Sequence, residues 1–160
     1  MESGTDRLEI AVVDPRHDDV HAVLRRHLAF AHETSPSEHV HALDVDGLLD
    51  PAITLFGARS GGALLGVGAL REMEPGHAEL KSMHTVAEAR GQGVGRAILH
   101  HLLSVARGRG YRRVSLETGA MDAFVPARSL YASVGFVPCP PFAHYTENEH
   151  STCMTLALEA

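Results

Sequence analysis

The sequence predicts a single domain of mixed α/β (α+β) class, a sheet of about seven strands with about four helices on its faces. Three observations predict it. The chain has 160 residues, the length of one ordinary domain and enough to bury a substantial core. No internal repeat, low-complexity tract or Pro/Gly/Ser linker divides it, so residues 1–160 read as one unit. Short apolar runs rich in β-branched residues alternate with stretches of helical spacing, in the order β-α-α-β-β-β-α-β-α-β-β.

Leu8 to Asp14 (LEIAVVD) ends at Pro15 and predicts the first strand. Asp18 or Asp19 can cap a helix whose apolar positions Val20, Val23, Leu24, Leu28 and Ala31 keep helical spacing, fading near Thr34-Ser35-Pro36. A short second helix is expected around Val40 to Leu49. Ile53 to Arg59, the Ser60-Gly61-Gly62 turn and Ala63 to Met73 predict an antiparallel hairpin. Pro75-Gly76 turns the chain into a fourth strand, His77 to Val86. Strand alternation there sets Glu79, Lys81, Met83 and Thr85 on one face and Leu80, Ser82 and His84 on the other. Gly91 to Gly95 is a glycine-rich loop opening a helix with a broad apolar face: Ile98, Leu102 and Val105 beside Leu99, Leu103 and Ala106. Gly108 and Gly110 end it. A fifth strand over Arg113 to Thr118, a helix over Pro126 to Val134 with proline in its first turn, and a last strand over Thr152 to Leu158 follow; the strand between that helix and the last strand is expected without definite bounds.

Composition excludes several classes. Apolar residues make up 44% and charged residues 21% of the chain, close to globular averages, so disorder is not the default. No apolar run approaches the ~20 residues that cross a bilayer as a helix. The polar, acidic start, Met1 to Asp6, lacks the apolar core of a secretory signal, and two cysteines make no disulfide framework; both suit a cytoplasmic protein. The net charge of −6 argues against a general nucleic-acid or membrane-surface binder. Its distribution is uneven: Lys81 to Arg113 holds seven basic residues and one acid, and the remainder seven basic and nineteen acidic. That pattern suits a confined anion site and an acidic remainder that favours an amine; a solvated basic helix face explains the charge equally well.

The most informative stretch is Arg90-Gly91-Gln92-Gly93-Val94-Gly95-Arg96, after a strand and before an amphipathic helix. Alternating glycines leave N–H groups uncovered at a helix start, where the positive end of the dipole stabilises an anion such as a pyrophosphate. Glycines serving only a tight turn remain the alternative. The Walker pattern fails because no Gly-Lys-Ser/Thr follows, and the dinucleotide fingerprint fails because Arg96 stands at the third glycine position.

Arg90 to Gly95 resembles the R/Q-x-x-G-x-G/A signature of the GNAT superfamily of acetyl-CoA-dependent N-acetyltransferases. Ala127-Arg128-Ser129-Leu130-Tyr131-Ala132-Ser133-Val134-Gly135-Phe136 is similar to the downstream A-x-x-L-Y-x-x-x-G-F segment of that superfamily. The resemblance is strongest from Glu79 to Phe136 and implies a mostly antiparallel GNAT-like sheet. It implies that Gly91, Gln92, Gly93, Val94, Gly95 and Arg96, with Arg90 beside them, hold the pyrophosphate of acetyl-CoA. It further implies that Met83, His84 and Thr85 pair backbone groups with the pantetheine arm where neighbouring strands splay. Many relatives carry an asparagine before the last helix; here Met121 to Val125 lacks it, leaving that contact to backbone or Ser129.

Acetyl transfer to an amine needs a neutral nucleophile, donors for the oxyanion and a proton for the thiolate. By the resemblance, Tyr131 protonates the thiolate: a phenol of pKa ~10 donates to a group whose conjugate acid lies near ~8.5. Glu79 matches a glutamate that some relatives use as a base through water, with Glu117 and His84 as further candidates. A backbone N–H near Met83 or His84 is the candidate oxyanion donor. Twelve histidines invite a metal reading, through Cys139, His144, His150 and Cys153 or the His39/His41 pair. Their spacing does not match tetrahedral zinc sites, so no metal is expected. The loop Cys139 to Glu149 and the segment His32 to His41 are expected near the acceptor.

The sequence thus leads to an N-acetyltransferase with acetyl-CoA as co-substrate and a small-molecule amine as acceptor, attacked directly in a ternary complex. A protein N-terminus or lysine as acceptor, a non-catalytic CoA-binding regulatory module, and an NAD-dependent oxidoreductase are the rivals. No nucleic-acid or membrane partner is expected. Oligomeric state is not readable from the chain, although homodimers are frequent among such proteins.

Overall fold

The computed structural model describes residues 8–34, 46–143, 145–147 and 149–158. Seven strands form one sheet in the order β1-β2-β3-β4-β5-β7-β6. They are β1 (Glu9–Val12), β2 (Ile53–Ser60), β3 (Ala63–Glu74), β4 (His77–Thr85), β5 (Arg113–Gly119), β6 (Val137–Cys139) and β7 (Ser151–Ala157). Every neighbouring pair is antiparallel except β4 and β5. A parallel pair needs a crossover, and the helix α2 (Val94–Gly108) supplies it. The other described α-helices are α1 (Asp18–Thr34) and α3 (Val125–Ser133).

The apolar stripe of α2 does what its spacing requires. Ile98, Leu99, Leu102, Leu103 and Ala106 are all buried and each large one removes enough apolar area to contribute ~2 kcal/mol. Gly66 and Gly68 of β3 let this helix approach closely, since a Cβ at either would meet Ile98. The helix α1 covers the opposite face with Val20, Val23 and Leu24.

About four helices were expected, and the described residues hold three α-helices. Other expectations are corrected. The helix expected around Val40 to Leu49 lies outside the described residues up to 45, and its end is a 3-10 turn, Gly47–Leu49, that buries Leu48. Asp18 and Asp19 lie within the first turn of α1 rather than before it; there Asp19 accepts from Arg59 at 2.6 Å. The first strand is shorter than Leu8 to Asp14, because only Glu9 to Val12 has partners on β2.

The alternation along β4 is also broken. Lys81 stands opposite Ala69 and His84 opposite Val67, so one residue of β3 is spanned by two of β4. This β-bulge contains Ser82, whose φ is +58°, and it shifts every later side chain by one face. His84 therefore shares the α1 face with Glu79 and Lys81, while Met83 meets Gly68 on the α2 face.

Candidate active site

The parallel pairing of β4 with β5 runs only from His77↔Arg113 to Leu80↔Leu116. Both strands continue past that rung, β4 to Thr85 and β5 to Gly119, and they do so apart. A cleft of about 780 Å³ opens in this fork, between the inner strand edges, the Arg90–Arg96 loop and the start of α3. Strand edges that lack each other as partners offer backbone donors and acceptors to an extended guest.

At one end of the cleft, Gly91 and Gly93 adopt φ of +81° and +86°. A Cβ on either would meet nothing within 4 Å, so the left-handed backbone, not crowding, calls for glycine. Gly93 caps α2 with no side-chain hydrogen bond to the first-turn amides, which leaves that helix start available to an anion. Val94, Gly95 and Arg96 form the first turn and line the cleft with Arg90, Gly91 and Gly93. Arg90 is held by donating from Nε to the Thr85 carbonyl at 3.3 Å and by lying 5.9 Å over the Phe30 ring. Gln92 is exposed and donates to the Glu88 carbonyl at 3.3 Å; neither it nor exposed Ser129 lines the cleft. Of the seven basic residues from Lys81 to Arg113, only Lys81, Arg90 and Arg96 do so. Arg109 instead reaches Thr54 and Arg113 reaches Thr155.

At the other end the fork holds charge. Glu79 is 1% exposed, and both its oxygens are engaged. Oε1 accepts from Arg71 at 3.4 Å and Oε2 from Lys81 Nζ at 3.2 Å. The Tyr145 hydroxyl donates to Oε2 as well and accepts from Lys81 at 2.8 Å. The Cys139 to Glu149 loop thus returns onto β4 through Tyr145, with Phe142 packed 5.1 Å from its ring. Glu117 lines the cleft from β5; burial pushes its carboxyl pKa up, partly countered by a bond from Ser151.

Tyr131 is buried on α3, lines the cleft and packs 5.8 Å from Phe136. Burial raises its phenol above the ordinary value, so the side chain stays protonated. The α1 side contributes His27 and Phe30, which the sequence reading missed. Their separation of three residues on a helix with Val23 was the available signal. His27 and His84 face each other with their Nδ1 atoms 3.2 Å apart. Phe30 packs edge-to-face against Phe124, with ring centroids 5.5 Å apart.

Burial depresses the pKa of both His27 and His84 to about 4, and for His84 the neighbouring His27 adds to it. Both are therefore neutral in the folded chain. Unfolded histidine titrates near ~6.5, so between pH ~6.5 and 4 the unfolded state binds more protons and stability falls as pH falls. Urea denaturation at pH 7 and pH 5 is expected to show this loss, and His27→Leu to reduce it. An unchanged slope in that variant would exclude the pair as its source.

Cys139 was expected in a loop; it ends β6 and stands directly opposite Cys153 of β7. His144, His39 and His41 lie outside the described residues, as do the side chains of the segment His32 to His41. Among the described residues, no group of three His, Cys, Asp or Glu side chains is arranged to hold a metal ion. No described helix is long and apolar enough to cross a membrane.

Residues 12–136 match the model of the Acetyltransferase (GNAT) family. The chain is 42% identical over 151 residues to an uncharacterized N-acetyltransferase, YsnE, of Bacillus subtilis, covering 94% of this chain and all of the relative. It is 34% identical to a protein of Azospirillum brasilense named IAA acetyltransferase, over 85% of this chain and 88% of that one. Among solved structures, a putative acyl-CoA N-acyltransferase from Klebsiella pneumoniae superposes with a TM-score of 0.79 at 26% identity, over 97% of this chain and 100% of the other.

Proposed function

Because the chain belongs to the GNAT family of acetyltransferases, we propose that it moves an acetyl group from acetyl-CoA to the primary amine of a small molecule, by direct attack in a ternary complex. One observation carries this reading. The open helix start at Gly93, suited to a diphosphate, and the fork holding Tyr131, Glu79 and Glu117 belong to one continuous cleft.

The residues suit the co-substrate. The amides from Gly93 to Arg96 would hold the diphosphate, with Arg90 beside it, and the edge from Met83 to Thr85 would pair with an amide-bearing arm. Acetyl-CoA supplies an activated acyl group when bound. Tyr131 holds a proton at Oη for the departing sulfur. Glu79, hydrogen-bonded by Arg71 and Lys81, takes the ammonium proton through a water. A second reading gives that task to Glu117, because its raised carboxyl pKa brings it nearer the working pH, where a general base is most effective.

Acetyl-CoA-dependent release of free thiol across a panel of small amines, peptides and IAA tests the reaction and its acceptor. Turnover with small amines supports the reading; turnover confined to peptides replaces the acceptor, and CoA binding without turnover replaces the enzyme by a binding module. The pH dependence of kcat/KM in Glu117→Gln then separates the two bases. Retention of the acidic limb supports Glu79, and its disappearance supports Glu117.

A further inference from the structure

We propose that Cys139 and Cys153 form a redox modification site, a dithiol that a low-molecular-weight disulfide oxidises to a disulfide, locking the loop that covers Glu79. The covalent step stands on geometry alone; its effect on turnover rests on the acetyl-transfer reading above, with Glu79 as base. The chain has two cysteines in 160 residues, and both thiols are free. The fold sets them directly opposite each other, Cys139 at the end of β6 and Cys153 within β7. Direct partners on antiparallel strands project from the same face with Cα atoms ~4.5–5.5 Å apart. That lies inside the ~4.4–6.8 Å that a disulfide spans, so the two can join without backbone movement. Both line a cavity of about 430 Å³ with Thr146 and Glu147, which gives a small disulfide a way in. Cys139 is half-buried and Cys153 buried, so Cys139 is the point of entry.

The loop between the two cysteines is what the bond controls. The Phe142 N–H donates to the Cys153 sulfur, the Tyr145 N–H to the Phe142 carbonyl at 3.0 Å, and the Tyr145 hydroxyl to Glu79. A continuous series of contacts thus runs from the thiol to the carboxylate. Glu79 is 1% exposed, so water gains access to the oxygen under Tyr145 when Tyr145 lifts away. The strand that anchors the loop is weakly held. It is a three-residue strand at the sheet edge, and its Pro138 lends no N–H to the ladder. Cys139 and Cys153 form its rung nearest the loop. A disulfide across that rung stops it fraying and removes open conformations of the loop.

In the covalent step the Cys139 thiolate attacks one sulfur of the small disulfide, and one small thiolate leaves. The Cys153 thiolate then attacks the Cys139 sulfur and expels the second, and the two cysteine protons pass to the departing thiolates. The protein loses two hydrogens and the small disulfide is reduced to two thiols. Burial raises both cysteine thiols, Cys153 to about 11. Thiolate is therefore scarce at neutral pH, and closure accelerates as pH rises.

Glutathione disulfide at pH ~8 is the probe, with dithiothreitol-reduced protein as the reference. Oxidised wild type is expected to lose two hydrogens by intact mass and to retain no glutathione. Cleavage after Glu147 or Glu149 separates the cysteines in sequence, so the two peptides should stay joined until reduced. Hydrogen exchange of the loop amides should slow several-fold, and kcat should fall several-fold and recover with dithiothreitol. CoA should bind equally well in both states, because the Gly93 helix start lies at the other end of the cleft. Cys139→Ser should behave as the reduced wild type and ignore the probe. A stable glutathione adduct on Cys139 without the cross-link would overturn the proposal. So would a cross-link that leaves loop exchange or kcat as in the reduced protein, or inhibition that persists in Cys139→Ser. Reduced wild type without thiol release would instead overturn the acetyl-transfer reading, whereas the cross-link and the slowed exchange are measured without turnover.

Discussion

Gly93→Asp is expected to weaken CoA binding by about two to three orders of magnitude while leaving the fold intact. The new carboxylate would stand at the start of α2, where Gly93 now caps the helix without any side-chain bond. It would occupy first-turn amides that otherwise receive the diphosphate. It would also repel that guest: unit charges ~4 Å apart interact by ~1 kcal/mol in water and ~4 kcal/mol near a protein surface. Two phosphate charges at intermediate screening give about 3–4 kcal/mol, or a few hundredfold in Kd.

The folded state feels opposing effects at the same position. An N-cap aspartate stabilises a helix by about 1 kcal/mol, whereas a side chain at φ +86° costs about as much. The melting temperature should therefore move by only a few degrees. Gly93→Ala is the control, because it carries the same backbone strain without charge and its Cβ meets nothing within 4 Å. Calorimetry should find the alanine variant weakened several-fold at most. An aspartate variant that binds CoA like the wild type would remove the diphosphate from this helix start.

The parts of this site that were legible in the sequence are those set by local chemistry. Alternating glycines before an amphipathic stretch specify an open helix start, and Gly93 and Val94 form it. The apolar spacing from Ile98 to Ala106 specifies the crossover helix that makes β4 and β5 parallel. The bulge at Ser82 was not legible, because register depends on which residues of β3 stand opposite, and Lys81-Ser82-Met83 contains no glycine to mark it. One extra residue there reversed the face expected for His84.

Contacts between distant segments were equally hidden. Tyr145 reaches Glu79 across 66 residues and His27 reaches His84 across 57. Glu79 could be singled out by its position on the strand, but not its engagement by Arg71, Lys81 and Tyr145.

Tyr131→Phe is expected to lower kcat by about a hundred- to a thousandfold, near the lower range for loss of a general acid because a thiolate is already a fair leaving group. Binding of CoA should stay within about twofold, since the glycine loop and the β4 edge are untouched and a single oxygen is removed. Stability should also hold, because the ring that packs 5.8 Å from Phe136 is retained. The pH dependence separates this role from a merely structural one. Burial raises the Tyr131 pKa, so the wild-type phenol remains a proton donor throughout the neutral range and contributes no alkaline limb to kcat below pH ~10. Above that pH the unfolded phenol ionises while the folded one stays protonated. The folded state then binds more protons, and stability falls as pH rises. Tyr131→Phe should reduce that alkaline loss, to which buried Tyr145 also contributes, and remove the catalytic proton. A variant with kcat within about threefold of wild type would take the sulfur's proton away from Tyr131 and assign it to another group or to water.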